Sequence, residues 1–183
     1  VNQYGGSALT GTPSRSVNED EQLVFTGTTR ITLSDADYAN NEGNGNITVT
    51  LSVSYGTLSV VNQVSNVTVD NNNTATVKLT GPLANVNVAL DQLTYQGNLN
   101  YNINLNGNDT LVITSNDLGN SGSVGGVTGV PLTDTDSITI VVNPMNDGPT
   151  SVLPPTQFVD EDTTITFSVA NGNALTVADI DVL

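Results

Sequence analysis

The chain has 183 residues, and its 3 Lys and Arg stand against 18 Asp and Glu, for a formal net charge of −15. That balance argues against nucleic acid as a partner, because a phosphate backbone is gripped by clustered basic side chains. The absence of Cys, His and Trp excludes a Ser-His-Asp triad, thiol redox chemistry and a His- or Cys-ligated zinc, and no apolar run approaches the ~20 residues of a membrane span.

An acidic chain poor in aromatics can be disordered, but here the charged fraction is only 11%, and Val, Ile, Leu and Thr alternate as they do in strands. Residues 1–16, with Gly5-Gly6, Gly11 and Pro13, read as a leader or the tail of an upstream unit. Strands are then expected at Leu23 to Phe25, Ile31 to Leu33, Ile47 to Val53, Val64 to Val69, Ala75 to Leu79, Leu111 to Thr114 and Ile138 to Val142. Tyr55-Gly56 is expected to turn Ile47 to Val53 back into Thr57 to Val60, and Asp70-Asn71-Asn72-Asn73 to turn Val67 into Val77, since Asn and Gly tolerate positive φ. Pro82 followed by Leu83, Val86 and Leu90 predicts a short crossover helix, with proline in its first turn and those three side chains in the core. Leu93 and Tyr95 continue into the next strand. Many short strands at this spacing predict an all-β sandwich.

Val17-Asn18-Glu19-Asp20 followed by Asp35-Ala36-Asp37 returns as Val159-Asp160-Glu161-Asp162 followed by Asp179-Ile180-Asp181. The repeat makes residues 17–149 one complete unit with its linker and 150–183 the truncated start of a second, in which Ile165, Phe167 and Val169 form a strand. Asn143-Pro144-Met145-Asn146-Asp147-Gly148-Pro149 joins them. A lone Asp-x-Asp is usually a solvated turn, but the same pair twice, once after an oxygen-rich linker, points to a cation. Ca²⁺ suits carboxylate, amide and carbonyl oxygens better than Mg²⁺ or zinc, because it accepts about 6–8 oxygens in loose geometry. If Ser137 to Val142 runs down to the linker, its start lies about 20 Å away at ~3.3 Å per residue. Asp134 and Asp136, with Asp117, then belong to the opposite end. There they either meet Asp35 and Asp37 in a second site or form an acidic loop facing water.

Together with Glu19-Asp20, Asp35-Ala36-Asp37, Leu90, Leu93-Thr94-Tyr95, Asn108-Asp109-Thr110-Leu111, Asn116-Asp117-Leu118-Gly119 and Asp134-Thr135-Asp136, the linker makes residues 17–149 similar to the cadherin-like tandem repeats of giant bacterial RTX-type adhesins. The resemblance implies an antiparallel Greek-key sandwich of the immunoglobulin or cadherin kind. It also implies Ca²⁺ bound between consecutive domains by Glu19 and Asp109, by Asn143, Asn146 and Asp147 of the linker, and by Asp179 with Asp181. Glu161 would serve the next junction. Asn143 stands where the family's first linker Asp is usual, Gly148 follows Asp147 where Asn is usual, and no acidic triplet surrounds Asp109. Fewer anionic ligands imply fewer or weaker ions. The expected function is therefore a non-enzymatic, extracellular extender module whose partners are neighbouring repeats. The alternative is a glycan- or protein-binding module using loops such as Tyr38 to Asn46 or Gly119 to Val130, although Phe and Tyr make up only 4% of residues, too few for a sugar platform.

Overall fold

The computed structural model of the chain describes residues 13–35, 45–119, 123–124 and 127–181. The chain divides into two compact units, Val1–Pro144 and Met145–Leu183, so the division precedes Met145 rather than following Pro149. Strand pairing in the first unit ends at Asn143, whereas the Asp147 amide is bonded within the second unit, to Asp181. No helix among the described residues is long and apolar enough to cross a membrane.

The first unit is an all-β sandwich. Its larger sheet contains β1 (Ser14–Asn18), β3 (Asn46–Ser52), β5 (Thr68–Asp70), β6 (Thr76–Pro82), β8 (Asp109–Asn116) and β11 (Thr133–Asn143), in the order β1-β11-β8-β3-β6-β5. The smaller sheet has the order β2-β7-β4, from β2 (Gln22–Phe25), β4 (Gly56–Ser59) and β7 (Leu93–Gly97). A two-residue pair, β9 (Ser123–Val124) with β10 (Val127–Thr128), lies apart. All of these pairings are antiparallel except β1 with β11, which makes the larger sheet mixed. Period-2 alternation sends Val49, Leu51, Val77, Leu79, Leu111, Ile113, Ile138 and Ile140 inward. From the smaller sheet Phe25, Leu58, Leu93 and Tyr95 complete the core.

The crossover helix α1 (Leu83–Leu90) begins directly after β6 with Pro82 as its N-cap residue. It buries Leu83, Val86, Ala89 and Leu90, so the sequence expectation holds there. The Asn-rich turn between β5 and β6 also forms as expected, with Asn71 and Asn73 at φ of 54° and 63°.

Four sequence expectations differ from the fold. Ser14 to Ser16 belong to β1 and not to a leader; as an edge strand it leaves Ser14 and Ser16 exposed, so its polar letters hide it. Tyr55-Gly56 does not close a hairpin, because β3 and β4 lie in different sheets. The chain crosses there because the Ser54 and Tyr55 amides both donate to the Asp109 carboxylate, at 2.9 and 3.0 Å. Gly56 then opens β4 tightly against β7, where a Cβ would sit 2.5 Å from the Tyr95 ring and from the Gln96 carbonyl.

Ile31 and Leu33 are buried but form no strand. The Asn87 side chain of α1 replaces a strand partner, accepting from the Leu33 amide at 2.8 Å and donating to its carbonyl at 2.9 Å. In the second unit Ile165, Phe167 and Val169 form no strand either. Its described pairing is β12 (Thr150–Val152) with β13 (Thr176–Ala178). Phe167, the counterpart of the fully buried Phe25, is 46% exposed; Phe25 owes its burial to pairing with Leu93 of β7.

Asn87→Ala would strip both backbone partners from Leu33 while leaving the apolar core intact. Loss of about 1–3 kcal/mol in urea unfolding is expected. A change below about 0.5 kcal/mol, within the usual range for surface substitutions, would show that the clamp is dispensable.

Candidate metal centre

The acidic phrase takes the same local form in both units. In the first, the Glu21 amide donates to the Asn18 carbonyl at 3.2 Å with Asp20 at φ 62°. In the second, the Thr163 amide donates to the Asp160 carbonyl at 3.2 Å with Asp162 at φ 62°. A short acidic side chain tolerates the left-handed region, so each turn presents a Glu beside a left-handed Asp. The surroundings differ. Glu19 is 4% exposed, its amide donates to the Asn143 carbonyl at 2.9 Å, and its Oε2 accepts from Asn102 Nδ2 at 3.0 Å. Glu161 is exposed.

In the linker and second unit, the Asn146 amide side chain donates to the Asp147 carbonyl at 3.0 Å. The Asp147 amide donates to Asp181 Oδ2, and the Asp181 amide to Asp179 Oδ1 at 3.0 Å. Backbone amides thus draw the linker Asp and the repeated Asp-x-Asp pair together. Asn143 ends β11 in the first unit, with its Nδ2 3.5 Å from Asn18 Oδ1. Glu19, Asp147 and Asp181 each offer a carboxylate oxygen that could hold a metal ion.

Asp109, expected as a ligand, is a structural anion. It is 1% exposed; Oδ1 accepts from the Ser54 and Thr110 amides, and Oδ2 from the Tyr55 amide and the Tyr95 hydroxyl, all within 3.0 Å. A carboxylate has about four acceptor sites, and these four donors fill them. Burial, followed by the Asp109 charge and hydrogen bond, pushes the Tyr95 phenol well above its ordinary value. Burial and then the charge of Asp109 push Tyr101 up to about 12. Tyr101 stacks on Tyr55 with ring centroids 4.8 Å apart.

At the other end of the first unit Asp35, Asp117 and Asp134 line one cleft with Leu33, Ile47 and Leu83. Asp37 lies outside the described residues. Asp117 Oδ1 already accepts from the Gly119 and Leu132 amides at 2.9 and 2.7 Å. Asp136 sits two residues from Asp134 on the core-facing side of β11. Burial, the Asp134 charge and a hydrogen bond with Asp134 raise its carboxyl above the ordinary value.

Asn102 escaped the sequence reading. Its signal was the frame around Ile103 to Asn106, an Asn before and Gly107 after, which marks a one-turn helix by N-cap and C-terminal glycine. No protein-family model, curated protein or solved structure matches the chain.

Tyr95 and Tyr101 keep their protons in the folded state after the unfolded chain, with phenols near 10, has begun to lose them. The contribution of these two phenols to folding stability should therefore be flat below pH 10 and fall as pH rises from 10 towards about 12. Tyr95→Phe should flatten this fall while costing about 1–3 kcal/mol at neutral pH. Unfolding curves across that range check it, and an unchanged alkaline slope would contradict it.

For Asp136 the sign is that of a raised carboxylate: the folded chain pays for its ionised form at neutral pH, and the penalty fades as pH falls through the raised value. Asp136→Asn should then raise the Tm at pH 7 in chelator, with the gain shrinking in acid. A lower Tm at pH 7 would oppose this reading.

Proposed function

We propose that the chain is a calcium-binding structural module of a tandem array, and that the ion joins consecutive units by bridging Glu19 of one with Asp147 and Asp181 of the next. The observation that carries this is the tie of Asp147 to Asp181 through the linker amide, reached from a strand whose last residue binds the Glu19 amide. Three residues lie between Asn143 and Asp147, so at most about 14 Å of extended chain separates them. A linker this short permits the two carboxylate groups to reach a shared ion.

The electrostatics favour the same reading. With a net charge of −15, carboxylates at a joint repel one another unless a cation intervenes. In calcium the interdomain angle becomes fixed; in chelator the linker flexes. Asn143 and Asn146 are neutral, which lowers the ligand charge and suits the ~10⁻⁴ to 10⁻³ M affinities of extracellular calcium modules. A row of such joints forms a rod, the role of an extender in a large secreted or surface-anchored bacterial adhesin, holding a distal binding domain away from the cell. The reading needs no catalytic step.

Small-angle scattering of the full chain should give a larger and better-defined maximum dimension in millimolar calcium than in chelator, with a raised Tm. Asp181→Asn should remove most of both responses. If neither dimension nor Tm responds to calcium, the proposal fails.

A further inference from the structure

Glu19 and Glu161 occupy the same turn, yet one is buried and the other exposed. What distinguishes Glu19 is the short helix α2 (Ile103–Asn106), whose N-cap residue Asn102 reaches its carboxylate. We infer that Asn102 is a positioning residue for calcium, holding the Glu19 carboxylate in its ligating orientation; this rests on the proposed ion bridge.

A Glu side chain has three free torsions, and freezing them on binding an ion costs affinity. The turn fixes only the backbone of Glu19. Asn102 fixes its tip, with Nδ2 3.0 Å from Oε2 and both residues buried. The amide has one usable orientation, because its Oδ1 caps α2 by accepting from the Asn104 amide at 3.0 Å, leaving Nδ2 to face Glu19.

Asn102 is anchored in turn. The neighbouring Tyr101 stacks on Tyr55 and donates its hydroxyl to the Gly107 carbonyl at 2.8 Å, across α2. The Tyr55 amide donates to Asp109. A rigid line of contacts therefore runs from the saturated Asp109 carboxylate to Glu19.

A neutral amide is also the right chemistry for this task. Lys or Arg would neutralise Glu19 in place of the ion, and Asp would repel it. An amide donor brings no charge to compete with the ion and takes a single acceptor site of the carboxylate it orients, as partners of metal ligands generally do.

The test is a calorimetric calcium titration of the full chain with Asn102→Ser and Glu19→Gln, singly and together. Ser still caps a helix, but its hydroxyl is too short to reach Glu19. Asn102→Ser should weaken calcium binding at least about tenfold, the usual cost of losing such a partner. In the Glu19→Gln background the same change should have little further effect, because Asn102 acts through Glu19.

A purely structural residue would instead lower the Tm in chelator and leave calcium affinity unchanged, or act equally in both backgrounds; either result overturns the inference while the ion bridge stands. Asn102→Asp keeps the size and the cap but turns the donor into an acceptor, and it should bind calcium more weakly still. Tighter binding by that variant would make position 102 a ligand and sink the positioning role. A wild-type chain that binds no calcium would end both the inference and the proposed function.

Discussion

With only 3 basic side chains against 18 acidic ones, the buried anions of the first unit are held by N–H and O–H donors, and that constraint organises it. Asp109 is where it acts most strongly. Four donors converge on it from Ser54, Tyr55, Tyr95 and Thr110, and charge-assisted hydrogen bonds of this kind are stronger than neutral ones. By holding Ser54 and Tyr55, Asp109 determines where the chain leaves the larger sheet for the smaller. By holding Tyr95, it anchors the central strand of the smaller sheet. The stacked Tyr55 and Tyr101 then place the segment that carries Asn102.

The sequence made the strands legible wherever one face of a strand is buried and the other is solvated, because alternation is then the direct imprint of the pleat. It made α1 legible through Pro82 and the spacing of Leu83, Val86 and Leu90. Two of the misread segments share a cause: the partner lies far along the chain. Ile31 to Leu33 alternates like a strand, and only Asn87, 54 residues away, decides that a side chain will do the pairing. Tyr55-Gly56 has the letters of a hairpin turn, and only Asp109, 54 residues from Tyr55, decides that it is a crossing. The candidate site divides in the same way. The turn around Glu19 is written locally, whereas the burial of Glu19 depends on Asn102, 83 residues distant.

The two copies of the acidic phrase separate these contributions further. Both adopt one hydrogen-bonded turn with a left-handed Asp, although one belongs to the sandwich and the other to a unit whose described strands are β12 and β13. Local sequence is therefore enough for the turn, as expected when a short acidic residue supplies the positive φ. It is not enough for the environment of the Glu, which is buried at 19 and exposed at 161. A repeat of letters thus guarantees a repeat of backbone geometry but not of the pocket around it.

Acidic residues also differ in how much of each carboxylate is already spoken for, and this decides which of them can answer to a cation. Asp109 has no acceptor capacity left, so an ion would have to strip hydrogen bonds that hold the fold together. Asp117 has one oxygen committed to two amides, an arrangement that stabilises a loop without any metal. Glu19, by contrast, accepts at Oε2 from a side chain that is itself oriented by another bond, and Asp181 accepts at Oδ2 from the linker amide. In each of these the hydrogen bond orients one oxygen of the carboxylate. Burial of an anion, as at Glu19, is costly unless opposite charge is brought to it. The saturated Asp109 carboxylate therefore serves the shape of the fold, whereas at the buried Glu19 opposite charge would bring the larger gain.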